Sequence, residues 1–194
     1  DLIAATHGRS FWMIDDLTPL HQLSEEMTKS DFYLYKPDIT YRTQQSSGWS
    51  KPNLKLEGEN HPNGAFINYY LNDKKETDTG ALEILDANGA LIQKYNTTSK
   101  ADKHEPSATK PLTVVTVGNR FIWDLRYPGF KSFEGMVLYS SPNIGPKAVP
   151  GTYKVRLTYN GIVSEKEFTI VKDPRLPNTE ADFKSQFDFL IKVR

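Results

Sequence analysis

The sequence has no cysteine, so disulfides and thiolate metal sites are excluded, while the redox compartment stays undetermined. No charge of one sign dominates either: 24 lysines and arginines offset 24 aspartates and glutamates to a net charge of zero. That balance argues against nucleic acid or an anionic membrane held by charge. The longest apolar runs are only a few residues, far short of a membrane-spanning helix. An initiator methionine and a signal peptide are missing, and the first residues already read as an apolar strand, so the chain is expected to be a cut or processed piece of a longer protein. What is present is ordinary for a globular protein. With 38% hydrophobic and 25% charged residues, the 194-residue chain can form one domain, or a domain with flanking pieces.

Leu2 to Ala5 and Phe11 to Ile14 are short apolar runs joined at THGRS, a hairpin signal because Gly8 suits a tight turn or bulge. DDLTPLHQLSEEM predicts a short helix with Thr18 as N-cap and Pro19 at the first helical position. Leu17, Leu20, Leu23 and Met27 then share one face, and His21 falls among solvated positions. From Ser30 to Asn63 the pattern loosens. FYLYKPDITYR reads as one or two irregular strands and TQQSSGWSKPNLKLEGENHPNG as a polar loop, so residues 30–61 are expected to be a linker or ordered excursion.

After Gly64 the two-residue period strengthens. AFINYYLN begins a series of strands, and ALEILDANGALIQKY predicts a hairpin turned at Asn88-Gly89, residues that readily take positive φ in a tight primed turn. LTVVTV follows a proline-containing loop. Phe121, Trp123, Leu125 and Tyr127 alternate with Arg120, Asp124 and Arg126, Ile122 excepted. Tyr153, Val155, Leu157 and Tyr159 alternate with Thr152, Lys154, Arg156 and Thr158, and Asn160-Gly161 turns the next hairpin. Half-solvated strands at this spacing predict a mainly β fold of antiparallel sheets packed face to face over residues 62–173, with short flanking helices. Phe121, Trp123, Leu125, Tyr153, Val155 and Leu157 should point inward. NTEADFKSQFDFLIKVR predicts an amphipathic helix within 174–194, with Thr179 as N-cap, Asp182 imitating a capping box, and Phe183, Phe187, Leu190 and Ile191 on one stripe. With no C-cap before Arg194, the helix is expected to continue in a longer parent.

ATHGRSFWMIDDLTPL, HPNGAFINYYL, GNRFIWDLRYPG and GPKAVPGTYKVRLTYNG, in this order, resemble the C-terminal part of the large bacterial sortilin-like proteins, often described as BNR-repeat glycosyl hydrolases. The resemblance implies that residues 1–29 are a remnant of the last propeller strands with a short helix, and that 62–173 are an immunoglobulin- or fibronectin-III-like β-sandwich. The propeller repeats with their Asp-box turns do not occur in this sequence, so no catalytic residue is carried over. The implied protein is bacterial, exported to the periplasm or beyond, and binds its own propeller domain. The expectation is a non-catalytic accessory or interaction module with a carbohydrate or protein ligand. The alternatives are a part of a glycoside hydrolase whose catalytic residues lie on the propeller, and a structural brace without a ligand.

Residues that could carry chemistry are few. His7, Ser10 and Asp15 or Asp16 supply the ingredients of a hydrolytic triad, but no G-x-S-x-G elbow surrounds Ser10, and these residues are assigned to a strand-to-strand turn. Glycoside hydrolysis needs two convergent carboxylates, whereas the acidic residues here fall mostly on solvent faces or in loops. Asp124, flanked by Trp123 and Arg126, is expected to pair across to an arginine. DTGALEILDANG lacks the alternating oxygen ligands and closing glutamate of a calcium loop. Histidines at 7, 21, 61 and 104 have no paired spacing, so neither a metal nor another cofactor is expected. Tyr41 and Trp49 remain as candidate ligand-binding residues, because an exposed aromatic can stack on a sugar ring or a partner's apolar patch. Trp12 and Trp123, each on an apolar strand, are expected in the core.

Overall fold

The structure is a computed structural model that describes residues 2–14, 16–43, 62–73, 75, 77–97, 111–131, 133, 135–136 and 143–194. Its strands are β1 (Leu2–Ala5), β2 (Phe11–Ile14), β3 (Phe32–Leu34), β4 (Thr40–Arg42), β5 (Ala65–Leu71), β6 (Gly80–Asp86), β7 (Leu91–Asn96), β8 (Val117–Trp123), β9 (Gly151–Tyr159) and β10 (Ile162–Lys172). The helices are α1 (Thr18–His21), α2 (Glu25–Thr28) and α3 (Glu180–Val193). The chain is therefore mainly β. One sheet has five strands in the order β4-β10-β9-β6-β7, a second has three in the order β3-β5-β8, and β1-β2 form a separate pair. Neighbours are antiparallel except β4, which runs parallel to β10.

Alternation in the larger sheets becomes burial on one side. Along β9 the side chains of Tyr153, Val155, Leu157 and Tyr159 are buried while the residues between them are half-exposed. Trp123 and Leu125 are fully buried, and Phe121 packs partly buried against the same hydrophobic cluster. That cluster joins Ile67, Tyr69 and Trp123 of the smaller sheet to Leu82, Val155 and Phe168 of the larger one. Trp123 is its largest fully buried side chain, with ring centroids 5.8 Å from Tyr153 and 6.2 Å from Phe168. Its indole N–H donates to the Arg126 carbonyl at 3.1 Å, so the ring is buried without an unpaired polar atom. The other face of the five-stranded sheet carries charges in alternation of sign. Glu83 lies opposite both Lys94 and Arg156, and Arg156 opposite Glu165, giving ion pairs of 3.0, 3.5 and 2.9 Å.

Two turns show how local chemistry sets register. At Asn160-Gly161 both residues take positive φ (48° and 83°), and Tyr159 faces Ile162 across a two-residue primed turn. At the β6–β7 connection only Gly89 does so, at 84°. There the Asp86 carboxylate accepts from the amides of Asn88 (2.9 Å) and Ala90 (2.8 Å), which favours a longer loop over the expected tight turn.

Several other expectations change. Within the segment 30–61, expected to be a linker or ordered excursion, the strands read in FYLYKPDITYR form and join the sheets: β3 pairs with β5, and β4 with β10 through Thr40, Tyr41 and Arg42. The predicted N-terminal helix is split into α1 and α2. Leu17, not Thr18, is the N-cap of the first and makes no side-chain capping bond, although Asp16 before it accepts from the Thr18 amide at 2.9 Å; Ser24 caps the second, accepting from the Met27 amide. Gln22 between them bonds both backbone groups of Lys36 through its side chain. Of the expected apolar face only Met27 is buried; Leu20 and Leu23 are exposed. Of LTVVTV only Val117 lies in a strand, as the first residue of β8, although Leu112 and Val114 still point into the core. The C-terminal helix forms as read, with both hydrogen bonds of the Thr179–Asp182 capping box.

Candidate functional site

Thr6 to Ser10 form the turn between β1 and β2. Gly8 and Ser10 both take left-handed backbone (φ 77° and 69°), and the Thr6 amide and hydroxyl both donate to the Ser10 carbonyl. His7 and Ser10 are exposed and share no hydrogen bond. Asp16 is engaged elsewhere, accepting from Asn68 Nδ2 (3.0 Å) and Arg120 Nη2 (2.9 Å). Burial opposes its ionisation, but the Thr18 and Asn68 hydrogen bonds and the Arg120 charge outweigh that and hold its carboxyl below the usual value. Asp15 lies outside the described residues. The structure therefore does not assemble a triad from these groups. Among the described residues no set of three His, Asp or Glu side chains is placed to hold a metal ion; His61 and His104 lie outside them.

Tyr41 sits on the edge strand β4 and is 53% exposed, while Trp49 lies outside the described residues. A larger apolar surface lies elsewhere. All eight residues of β1 and β2 are exposed, Phe11 by 78% and Trp12 by 66%. Trp12 was expected in the core because it lies on an apolar strand; among the described residues its strand pairs only with β1, and neither face of the pair is covered by a sheet.

A second feature was not foreseen. Beyond Trp123 the chain bends at Leu125, which takes φ 62°, and residues 125–127 run back against 146–148. Gly145 comes so close to the Tyr127 carbonyl that a side chain there would collide with it. Arg126 and Lys147 form an antiparallel bridge, which brings their side chains to one face. Arg42, at the end of β4, joins them. Each cation is tied to a backbone carbonyl: Arg42 Nε to Ala148 (2.8 Å), Arg126 Nη1 to Gly145 (2.9 Å) and Lys147 Nζ to Thr43 (2.7 Å). Helix α3 closes the other side, with Phe183 stacked 4.5 Å from the Arg42 guanidinium and Phe187 against Tyr127. Between them lies an open cleft of about 1090 Å³. Its residues come from widely separated stretches, so no local motif announces it; the sequence signal was only that Arg126 occupies the polar face beside a core tryptophan.

The chain matches no protein-family model, no curated protein and no solved structure. Its functional reading therefore rests on these surfaces.

Proposed function

We propose that the chain is a non-catalytic accessory or interaction module: an immunoglobulin- or fibronectin-III-like sandwich attached to the end of an exported β-propeller of the BNR or sortilin-like type. The strand orders support the sandwich reading. A three-stranded β3-β5-β8 sheet faces a five-stranded one whose edge strand β4 runs parallel to the last strand, β10, dividing the first part of the domain between both sheets. The observation that carries the attachment is the β1–β2 hairpin. Phe11, Trp12, Met13 and Ile14 are consecutive, so both faces of β2 are apolar, and all four side chains are at least half exposed. Strands apolar on both faces belong inside a layered structure. A lone hairpin is marginal in water, and its open edges are templates for further pairing. A neighbouring propeller blade would supply both the edge and the covering layers. Asp16, immediately after Asp15, fixes the hairpin's exit to Asn68 of β5 and Arg120 of β8.

Turnover of the propeller-bearing parent tests the non-catalytic part. Ser10→Ala and His7→Ala should leave it within a few-fold, because a true nucleophile or general base contributes roughly a hundredfold or more. A thousandfold loss in either variant, with an unchanged melting temperature, would move the reading to the enzyme.

A further inference from the structure

We infer that the cleft between β4, the Asp124–Phe130 and Asn143–Ala148 segments and α3 binds a small molecule bearing a carboxylate or phosphate, its oxyanion held by Arg42, Arg126 and Lys147. This site is separate from the hairpin and stands independently of the propeller reading.

Three cations share one wall of the cleft, and none has a carboxylate within ion-pair distance among the described residues. The contrast with the sheet's outer face is direct, since there Arg156 is flanked by Glu83 and Glu165. Two acidic side chains also line the cleft, but both are committed elsewhere. Asp182 closes the capping box of α3, and Asp124 accepts from the Arg126 amide at 3.1 Å. The cations cannot simply swing away, because each is anchored to a backbone carbonyl, which leaves Arg42 both terminal nitrogens and Arg126 its Nη2 without a hydrogen-bond partner among the described residues. Such forked donors match the paired oxygens of a carboxylate or phosphate. Partial burial, followed by the charges of its two neighbours, also favours the neutral form of Lys147, an arrangement that an entering anion would relieve. At about 1090 Å³ the cleft exceeds what a bare ion fills, and Phe130, Ile144 and Leu190 provide apolar wall for the rest of a ligand.

Amide NMR titration of the whole chain with inorganic phosphate and with citrate, each against sodium chloride at equal ionic strength, tests this. Saturable shifts centred on Arg126, Lys147 and Ala148 are expected. A response to both probes supports the general oxyanion site, phosphate alone narrows it to phosphate esters, and citrate alone to carboxylates. Lys147→Gln and Arg126→Gln, each checked for a native spectrum, should weaken binding about tenfold, as expected for losing one charged donor. Asp124→Asn keeps the acceptor for the Arg126 amide while removing a competing charge, so it should tighten binding severalfold. Shifts no larger than those with chloride would overturn the site, and so would unchanged affinity in any of the three folded variants.

Discussion

Trp12 and Trp123 occupy similar sequence settings and opposite physical ones. Each lies on a short apolar strand, yet Trp123 is fully buried between two sheets and Trp12 is 66% exposed on a two-stranded pair. The difference lies in the neighbours. In β9 apolar residues alternate with polar ones, and in β8 Phe121 and Trp123 share the core side while Ile122 between them is 39% exposed, so one face meets the core and the other water. In β2 they do not alternate, and a single hairpin cannot cover its own two faces. Unbroken apolarity on a strand thus marks a need for partners on both sides. Among the described residues the main body meets that need for its own strands, and the hairpin does not.

Substitutions can widen or collapse this contrast. Trp123→Ala should have the largest effect, about 3–5 kcal/mol of stability by chemical denaturation, the usual cost of emptying a large aromatic site in a core. A loss under about 1 kcal/mol would mean that Trp123 does not hold the two sheets together. Next comes the joint between the regions. Asp16→Ala removes the acceptor used by Thr18, Asn68 and Arg120 and should cost about 1–3 kcal/mol. The folded carboxyl lies below its ordinary value of 3.8, so the stabilisation it gives is present above that pH and is lost as pH falls through the folded value. The difference in melting temperature between wild type and Asp16→Ala should therefore be full at neutral pH and shrink on acidification below about 4. A difference that grows on acidification would contradict the assigned sign. Trp12→Ala should have the smallest effect on stability, within about 0.5 kcal/mol for the isolated chain, while lowering the binding of an apolar dye. A loss near that of Trp123→Ala would place Trp12 in the core after all.

Much of the fold was legible where local chemistry decides it. The Asn160-Gly161 turn, the inward set on β9 and the capping box of α3 each depend on residues close in sequence. What failed depended on distant partners. FYLYKPDITYR read as one or two irregular strands, but the pairing of Thr40 with Ile170 leaves no local trace, so their place in the two sheets was not legible. LTVVTV has the apolar pattern of a strand, but a pattern does not guarantee a ladder partner. The N-terminal helix is interrupted at Ser24, whose backbone is extended and whose hydroxyl accepts from the Met27 amide to cap a new turn. The candidate sites show the same division. Tyr41 was found as an exposed aromatic, whereas Arg42 beside it acquires its setting only when β4 reaches Ala148 and α3.

The most direct measurement is native-state hydrogen exchange of the β1–β2 and β9 amides, made on the chain alone and on the longer, propeller-bearing protein proposed above. In the chain alone the β9 amides should exchange only by global unfolding, while those of Leu2–Ala5 and Phe11–Ile14 exchange with little protection. In the longer protein the hairpin should become protected to a degree comparable with β9. Hairpin protection equal to that of β9 in the chain alone, or none in either protein, would contradict the proposal that the chain attaches through this strand pair.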